Sequence, residues 1–222
     1  MDLHEGDGSS KQRLWTEVRD DDLMRGLALG LAGVFLFSCA LSGADSSPVS
    51  DAPRYTADGQ LELPKDYREW IFLSSGLGMV YGPLASAKRE DNPMFDNVYA
   101  NRSAYRAFLD SGRWPDKTVL VLEVRGSQSK GSINRGGHFQ TDAMGVEIHV
   151  RDEKRFPRKW AFFSFDNGGD TAKMIPATES CYSCHEKSGV VDTTFVQFYP
   201  TLLGVARAKN TLQRHEQAAP TE

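Results

Sequence analysis

One pentapeptide limits what this chain can be more than anything else in it: Cys181-Tyr182-Ser183-Cys184-His185, set close to the C-terminus. The 222 residues hold three cysteines, and the third, Cys39, lies far upstream in an apolar leader. The pair Cys181 and Cys184 has to be explained by itself. A C-x-x-C disulfide closes so small a loop that it stabilises little. A zinc site needs two further ligands, and no second cysteine pair exists. A thioredoxin-like redox pair belongs at a strand-to-helix turn opening a βαβ unit, and no βαβ pattern precedes this one. With His185 directly behind the second cysteine, and an export leader at the front, the pattern is that of covalent c-type haem attachment. The two thiols add across the haem vinyl groups, and the histidine supplies an axial nitrogen to the iron.

The leader occupies residues 1–44. Arg25, an apolar run from Leu27 to Phe37 and small residues ending at Ala44 outline a secretory signal peptide. The run is too short to span a bilayer as a stable helix. The segment before it is long and carries acids up to Asp22, unlike a short basic n-region, so Met24 is expected as the true start, or residues 1–23 as a tolerated extension. Cleavage after Ala44 gives a soluble, periplasmic product. The alternative is a lipobox at Leu36-Phe37-Ser38-Cys39, which Phe37 fits poorly, with the protein anchored by a lipid on Cys39.

At 40% hydrophobic, 25% charged and a formal charge of −4, the rest suits one domain with an ordinary core, and nucleic acid is not an expected partner. Residues 45–60 are rich in Ser, Pro, Ala and Asp and read as a linker, 61–208 as the domain, and 209–222 as a polar tail. "LPKDYREWIFL" (63–73) has a helical start, with Tyr67, Trp70 and Ile71 on one face. Residues 76–93 are punctuated by Gly and Pro and read as loop. "FDNVYA" (95–100) is a strand. Residues 101–112 are a helix capped by Asn101, stopped by Gly112, and buried along Ala104, Tyr105, Phe108 and Leu109. "TVLVLEV" (118–124), "VEIHV" (146–150) and "KWAFFSF" (159–165) are strands, with a polar loop at 127–137. Thr178 is placed to cap a helix carrying the cysteine motif. Residues 192–208 follow as a helix with Phe195, Phe198, Tyr199 and Leu202 on one face and a kink at Pro200. Strands dominate the middle and helices flank them, an α+β chain that is mainly β.

"LPKDYREW", "NVYANRSAYRAFLDSGRWPDKTVLVLEV", "CYSCHEKSG" and "DTTFVQFYPTL" resemble the cytochrome P-460 family, over about Leu61 to Leu203. The resemblance implies a mostly antiparallel sheet, one c-type haem on a C-terminal motif, a periplasmic location and a homodimer. By matching residues, Cys181 and Cys184 would attach the haem and His185 would be its proximal ligand, with the distal side open. Hydroxylamine-oxidising members carry a Lys cross-linked to the haem ring. The matching position here is Leu122, which forms no such bond. The nearest lysine, Lys117, is displaced along an extended chain by roughly 17 Å. This departure brings the protein closer to the uncrosslinked β-sheet cytochromes c-prime, which bind nitric oxide or carbon monoxide.

Glu147 stands where some oxidising members have a carboxylate. It is read either as a distal proton acceptor or as the solvated face of an amphipathic strand. His149, on the same face of that strand, and His138 are read as surface histidines. Glu123 is read as a buried, hydrogen-bonded carboxylate, and Lys187 as a helix-surface residue. Three functions are then open. The first is a haem protein binding a small diatomic such as nitric oxide in a site walled by apolar side chains such as Leu122. The second is an oxidoreductase acting on hydroxylamine or nitric oxide, with Glu147 taking protons and a periplasmic partner taking electrons. The third is a six-coordinate electron carrier, whose sixth ligand would be Met144 or Met174, each more simply a core side chain.

Overall fold

The computed structural model describes residues 50–80, 91–165 and 168–213. The leader, Met24, Cys39, residues 45–49, part of the 76–93 loop, Asp166, Asn167 and the end of the tail lie outside the described residues.

Five strands form one antiparallel sheet in the order β2-β3-β4-β5-β6: β2 Ile71–Leu77, β3 Phe95–Ala100, β4 Val119–Gln128, β5 Phe139–Arg151 and β6 Trp160–Ser164. A short pair, β1 Leu61–Glu62 with β7 Thr171–Ala172, makes a second sheet. Helix α1 (Arg102–Ser111) joins β3 to β4, and α2 (Ser180–Ser188) and α3 (Pro200–Ala208) follow the strands. The α+β, mainly β class expected from the pattern of elements is what forms.

Alternation along the strands divides the sheet into two faces. Val119, Val121, Val146, Ile148, Val150, Ala161 and Phe163 share the first face with Tyr67, Trp70 and Phe156. Ala100, Leu120 and Trp160 point to the second, where Ala104 and Phe108 of α1 and Leu202 and Ala206 of α3 cover them. The β-branched run of β4 suits its place as the central strand, buried on both sides over its first half.

Several local expectations change. Tyr67–Glu69 is only a single 3₁₀ turn, and the chain is a strand again from Ile71. Tyr67 and Trp70 are buried on the first face while Ile71 packs on the second, so no single helical stripe forms. Leu109 is exposed: Ala104 and Phe108 are buried against the sheet and α3 and Tyr105 is half-buried beside them, but Leu109 is not part of that cluster. Asn101 starts α1 without capping it. Its amide accepts from Val119 N–H at 2.9 Å and donates to the Lys117 and Asp51 carbonyls, each at 3.1 Å. The helix cap is Asp51, whose carboxylate accepts from Ser103 N–H at 2.8 Å and Ser103 Oγ at 2.6 Å. Residues 51–60, read as linker from composition, thus pack on the domain, and Tyr55 bridges to Leu61 and stacks edge-on against Phe156. Glu179, not Thr178, precedes α2, and Pro200 begins α3 at its first turn, where its missing N–H is not needed, rather than kinking a longer helix. Gly112 closes α1 at φ +71°, where a Cβ would sit 2.7 Å from Lys209 Cβ.

Candidate functional site

The second face is not uniformly covered. Beyond Leu120 and Trp160 the same face presents Leu122, Glu147, His149, Phe162 and Ser164, in register across three strands. Leu122 pairs with Glu147 and with Val98, Glu147 with Ser164, and His149 with Phe162. Helix α2 lies against this part of the sheet through three ring contacts. His185 meets Phe162 at 4.6 Å and His149 at 5.0 Å between centroids, and Tyr182 meets Phe162 at 4.9 Å. Tyr182 also donates its hydroxyl to the Ile175 carbonyl at 3.0 Å, tying the helix to the chain that enters it.

Within α2, Cys181 and Cys184 stand three residues apart and share a helix face, and they are not joined to each other. Cys181 is half-buried and Cys184 exposed. Burial pushes the Cys181 thiol up, and the Glu147 charge pushes it the same way, so Glu147 is close enough for its field to be felt at that sulfur. His185 is half-buried. Its Nδ1 lies 2.7 Å from the Thr193 carbonyl oxygen, which fixes that nitrogen as the donor and leaves Nε2 with the lone pair. Burial holds His185 below the usual histidine range, against the opposing pull of the Thr193 carbonyl, so the imidazole is neutral near pH 7. A neutral imidazole with a lone pair on Nε2 is a metal ligand. Among the described residues, no three His, Cys, Asp or Glu side chains gather as a cage for a bare metal ion.

One atom on this face lacks a partner. Ser164 Oγ is buried without a hydrogen bond, although an unsatisfied buried hydroxyl costs about 1–3 kcal/mol. A polar atom of a group seated against the face would meet that need. The two thiols, the neutral imidazole and this hydroxyl would together suit a larger cofactor rather than a bare ion.

A family model of cytochrome P-460 matches residues 64–196, which includes every residue of this face named above. The chain belongs to the cytochrome P-460 family. It is accordingly a haem protein. A comparison with curated proteins finds no match.

Of the residues singled out from sequence, this cytochrome P-460 domain gathers Leu122, Glu147, Cys181, Cys184 and His185 on one side of its sheet. Leu122 is half-buried and Glu147 exposed. Lys117 is elsewhere, paired through Nζ with the buried Asp152 at 2.5 Å. Lys187 is exposed on α2, and His138 sits in the loop before β5 with Nε2 3.0 Å from the Asp91 carbonyl. Met144 and Met174 are not core residues as expected: they are 59% and 46% exposed.

The largest revision concerns His149. It is buried rather than on the surface, stacked on Phe162 at 4.0 Å and tilted against Trp160 at 4.3 Å. Burial, then the neighbouring His185, hold it well below the usual histidine range, so it is a neutral ring. The alternation of "VEIHV" is sound, but at His149 the face opposite Val146 and Ile148 is covered by α2, while Glu147 on the same face stays exposed. Asp96 was also missed. It lies on the Leu122 face of β3, paired with Val124, and burial pushes its carboxyl up. Glu123 behaves as expected. It is 1% exposed on the first face, and it accepts from Tyr67 Oη, Arg68 Nε at 2.7 Å and Arg125 at 2.7 Å. Burial raises its carboxyl, but the three donors outweigh it and the net shift is downward.

Proposed function

We propose that this is a periplasmic c-type haem protein with an open distal site that binds nitric oxide or another small neutral diatomic. The observation that carries the reading is the pairing of a neutral His185, its Nδ1 engaged by Thr193, with a leucine at position 122 on the face that the cofactor would meet. Cys181 and Cys184 would hold the haem covalently, one per chain, and His185 Nε2 would be its axial ligand. A haem iron with one protein ligand offers a second axial position to a small molecule. Around that position the chain supplies apolar atoms from Leu122 and Val98, which favour neutral ligands over anions that need compensating donors. Leu122 has no amine with which to join a ring carbon, so the cofactor's conjugation stays intact.

A second reading has support of its own. Glu147 is on the same face, directly opposite Leu122 and near Cys181. A carboxylate there can accept protons from a nitrogen substrate such as hydroxylamine as electrons leave to a periplasmic partner, which makes the protein an oxidoreductase. The electron-carrier reading has no comparable support from Met144 or Met174. A homodimer, export and cleavage after Ala44, or lipid anchoring at Cys39, belong to the proposal.

The absorption spectrum of the dithionite-reduced protein, made with periplasmic haem-attachment machinery, tests the reading. Broad high-spin bands with an unshifted Soret maximum are expected. A strongly red-shifted Soret band overturns the assignment of Leu122, sharp low-spin bands bring in a sixth protein ligand, and a spectrum with no haem bands ends the proposal.

A further inference from the structure

The loop that follows α2 is held with more care than a connection needs. Its Thr193 carbonyl is the acceptor for His185 Nδ1 at 2.7 Å. The three residues around that carbonyl are each tied to a different side chain from another part of the fold. Asp192 accepts from Arg151 at 3.1 Å, and Arg151 in turn donates to the Trp114 carbonyl at 2.7 Å. Thr193 Oγ1 meets His149 Nε2 at 3.4 Å. Thr194 Oγ1 accepts from Trp114 Nε1 at 2.8 Å and donates to the Val191 carbonyl at 2.7 Å. Gln213 adds a fourth tie, donating to the Asp192 carbonyl at 2.9 Å. The loop also contains a non-glycine residue in the left-handed region, Asp192 at φ +52°. That conformation persists where surrounding contacts over-determine it. Arg151 and His149 lie two residues apart on β5, on the same face as Glu147, so one strand of the rigid sheet supplies two of the ties.

We propose that Arg151, His149 and Trp114 are positioning residues for the axial histidine: by pinning Asp192, Thr193 and Thr194 to the sheet they hold the Thr193 carbonyl on His185 Nδ1. A carbonyl held there orients the imidazole and raises its basicity towards a metal on Nε2. A more basic axial nitrogen stabilises the ferric over the ferrous state and strengthens the bond to iron. The inference rests on the haem reading above and adds to it the residues that set the strength of the proximal bond.

The test uses the haem-loaded protein and three substitutions that keep local shape. Arg151→Gln removes the ion pair. Asp192→Asn removes the charge and keeps a residue that tolerates positive φ. Thr193→Val removes the hydroxyl and keeps the β-branch. Two quantities are read: the iron–histidine stretching band of the ferrous protein by resonance Raman, and the reduction midpoint by spectroelectrochemistry. The band is expected to move to lower frequency and the midpoint to rise, most for Arg151→Gln. There the reduced-to-oxidised ratio at a fixed potential should grow roughly ten-fold, about 59 mV for one electron. Arg151→Lys should recover part of the shift. A purely structural role lowers the melting temperature and leaves both quantities unmoved, and that outcome in all three variants overturns the inference. The midpoint is readable whether the iron has one protein ligand or two. A wild-type protein without haem overturns the haem reading and this inference together, whereas haem in every variant with unmoved midpoints overturns this inference alone.

Discussion

The two faces of the five-stranded sheet are built from alternate residues of the same strands, yet they solve different problems. On the first face, Val121, Val146, Ile148 and Phe163 close against Tyr67 and Trp70, and the buried carboxylate of Glu123 has three donors. On the second, α1 and α3 seal one end, while the other end carries two contacting histidines, two cysteines and a buried hydroxyl with no partner. A face whose buried charge is met by three donors stabilises the fold. A face that leaves polar groups waiting is where a ligand belongs. Glu123 and Glu147 make the contrast in two residues: they are one strand apart, the first 1% exposed between Arg68 and Arg125 and the second exposed.

The contrast can be broken in order of size. Replacing Cys181 and Cys184 together by Ala should abolish covalent haem, read as loss of haem staining on a denaturing gel. Haem retained through denaturation would mean that α2 is not the point of attachment. Phe163→Ala, on the first face, should cost about 3–5 kcal/mol in urea unfolding while leaving the absorption spectrum of the folded protein unchanged. A changed absorption spectrum in the folded variant would show that the faces are not independent. Glu123→Gln should cost about 2 kcal/mol, because Arg68 and Arg125 lose a charged acceptor.

The same carboxylate carries a pH signature. Its folded pKa lies below its unfolded value, so its contribution is complete above the ordinary glutamate range and is lost as pH falls through the depressed folded value. Stability of the wild type should decline on acidification, and Glu123→Gln should flatten part of that decline. Parallel acid profiles would remove Glu123 from the account. Asp51→Ala should cost about 1 kcal/mol through loss of the α1 cap. Leu109→Lys should change stability by less than about 0.5 kcal/mol, since the side chain is in water; a larger loss would place it under cover in an assembly.

Some of this was legible in the chain. Period-two alternation in β4 and β5, the Gly112 stop and the aromatic run of β6 marked elements that formed close to where they were expected. Motif spacing put Cys181, Cys184 and His185 on one helix. Pattern failed where a contact came from far along the chain. Asn101 has the composition of a cap but spends its amide on β4, and the cap comes from Asp51 instead. Leu109 continued the stripe of α1, but the packed cluster takes only Ala104, Phe108 and part of Tyr105, and Leu109 stays exposed. Residues 51–60 had linker composition, and composition does not register a tyrosine docked on Phe156 or an aspartate on a helix end.

Local sequence by itself determined β3, β4, β6 and the second half of β5, the helix that carries the cysteines and the identity of the donor atoms, because these follow from periodicity and spacing over a few residues; β2 it did not. It also determined that position 122 lacks an amine. Only the tertiary structure decided which face of β5 meets α2, and with it whether His149 is a surface residue or a neutral ring stacked on Phe162 and edge-on to His185. It decided, too, that Thr193 would present its carbonyl to His185. Both outcomes depend on contacts between segments far apart in the chain, from β5 to α2 and from Arg151 and Trp114 to the loop at 192–194, and no short-range pattern records which segment will cover which face.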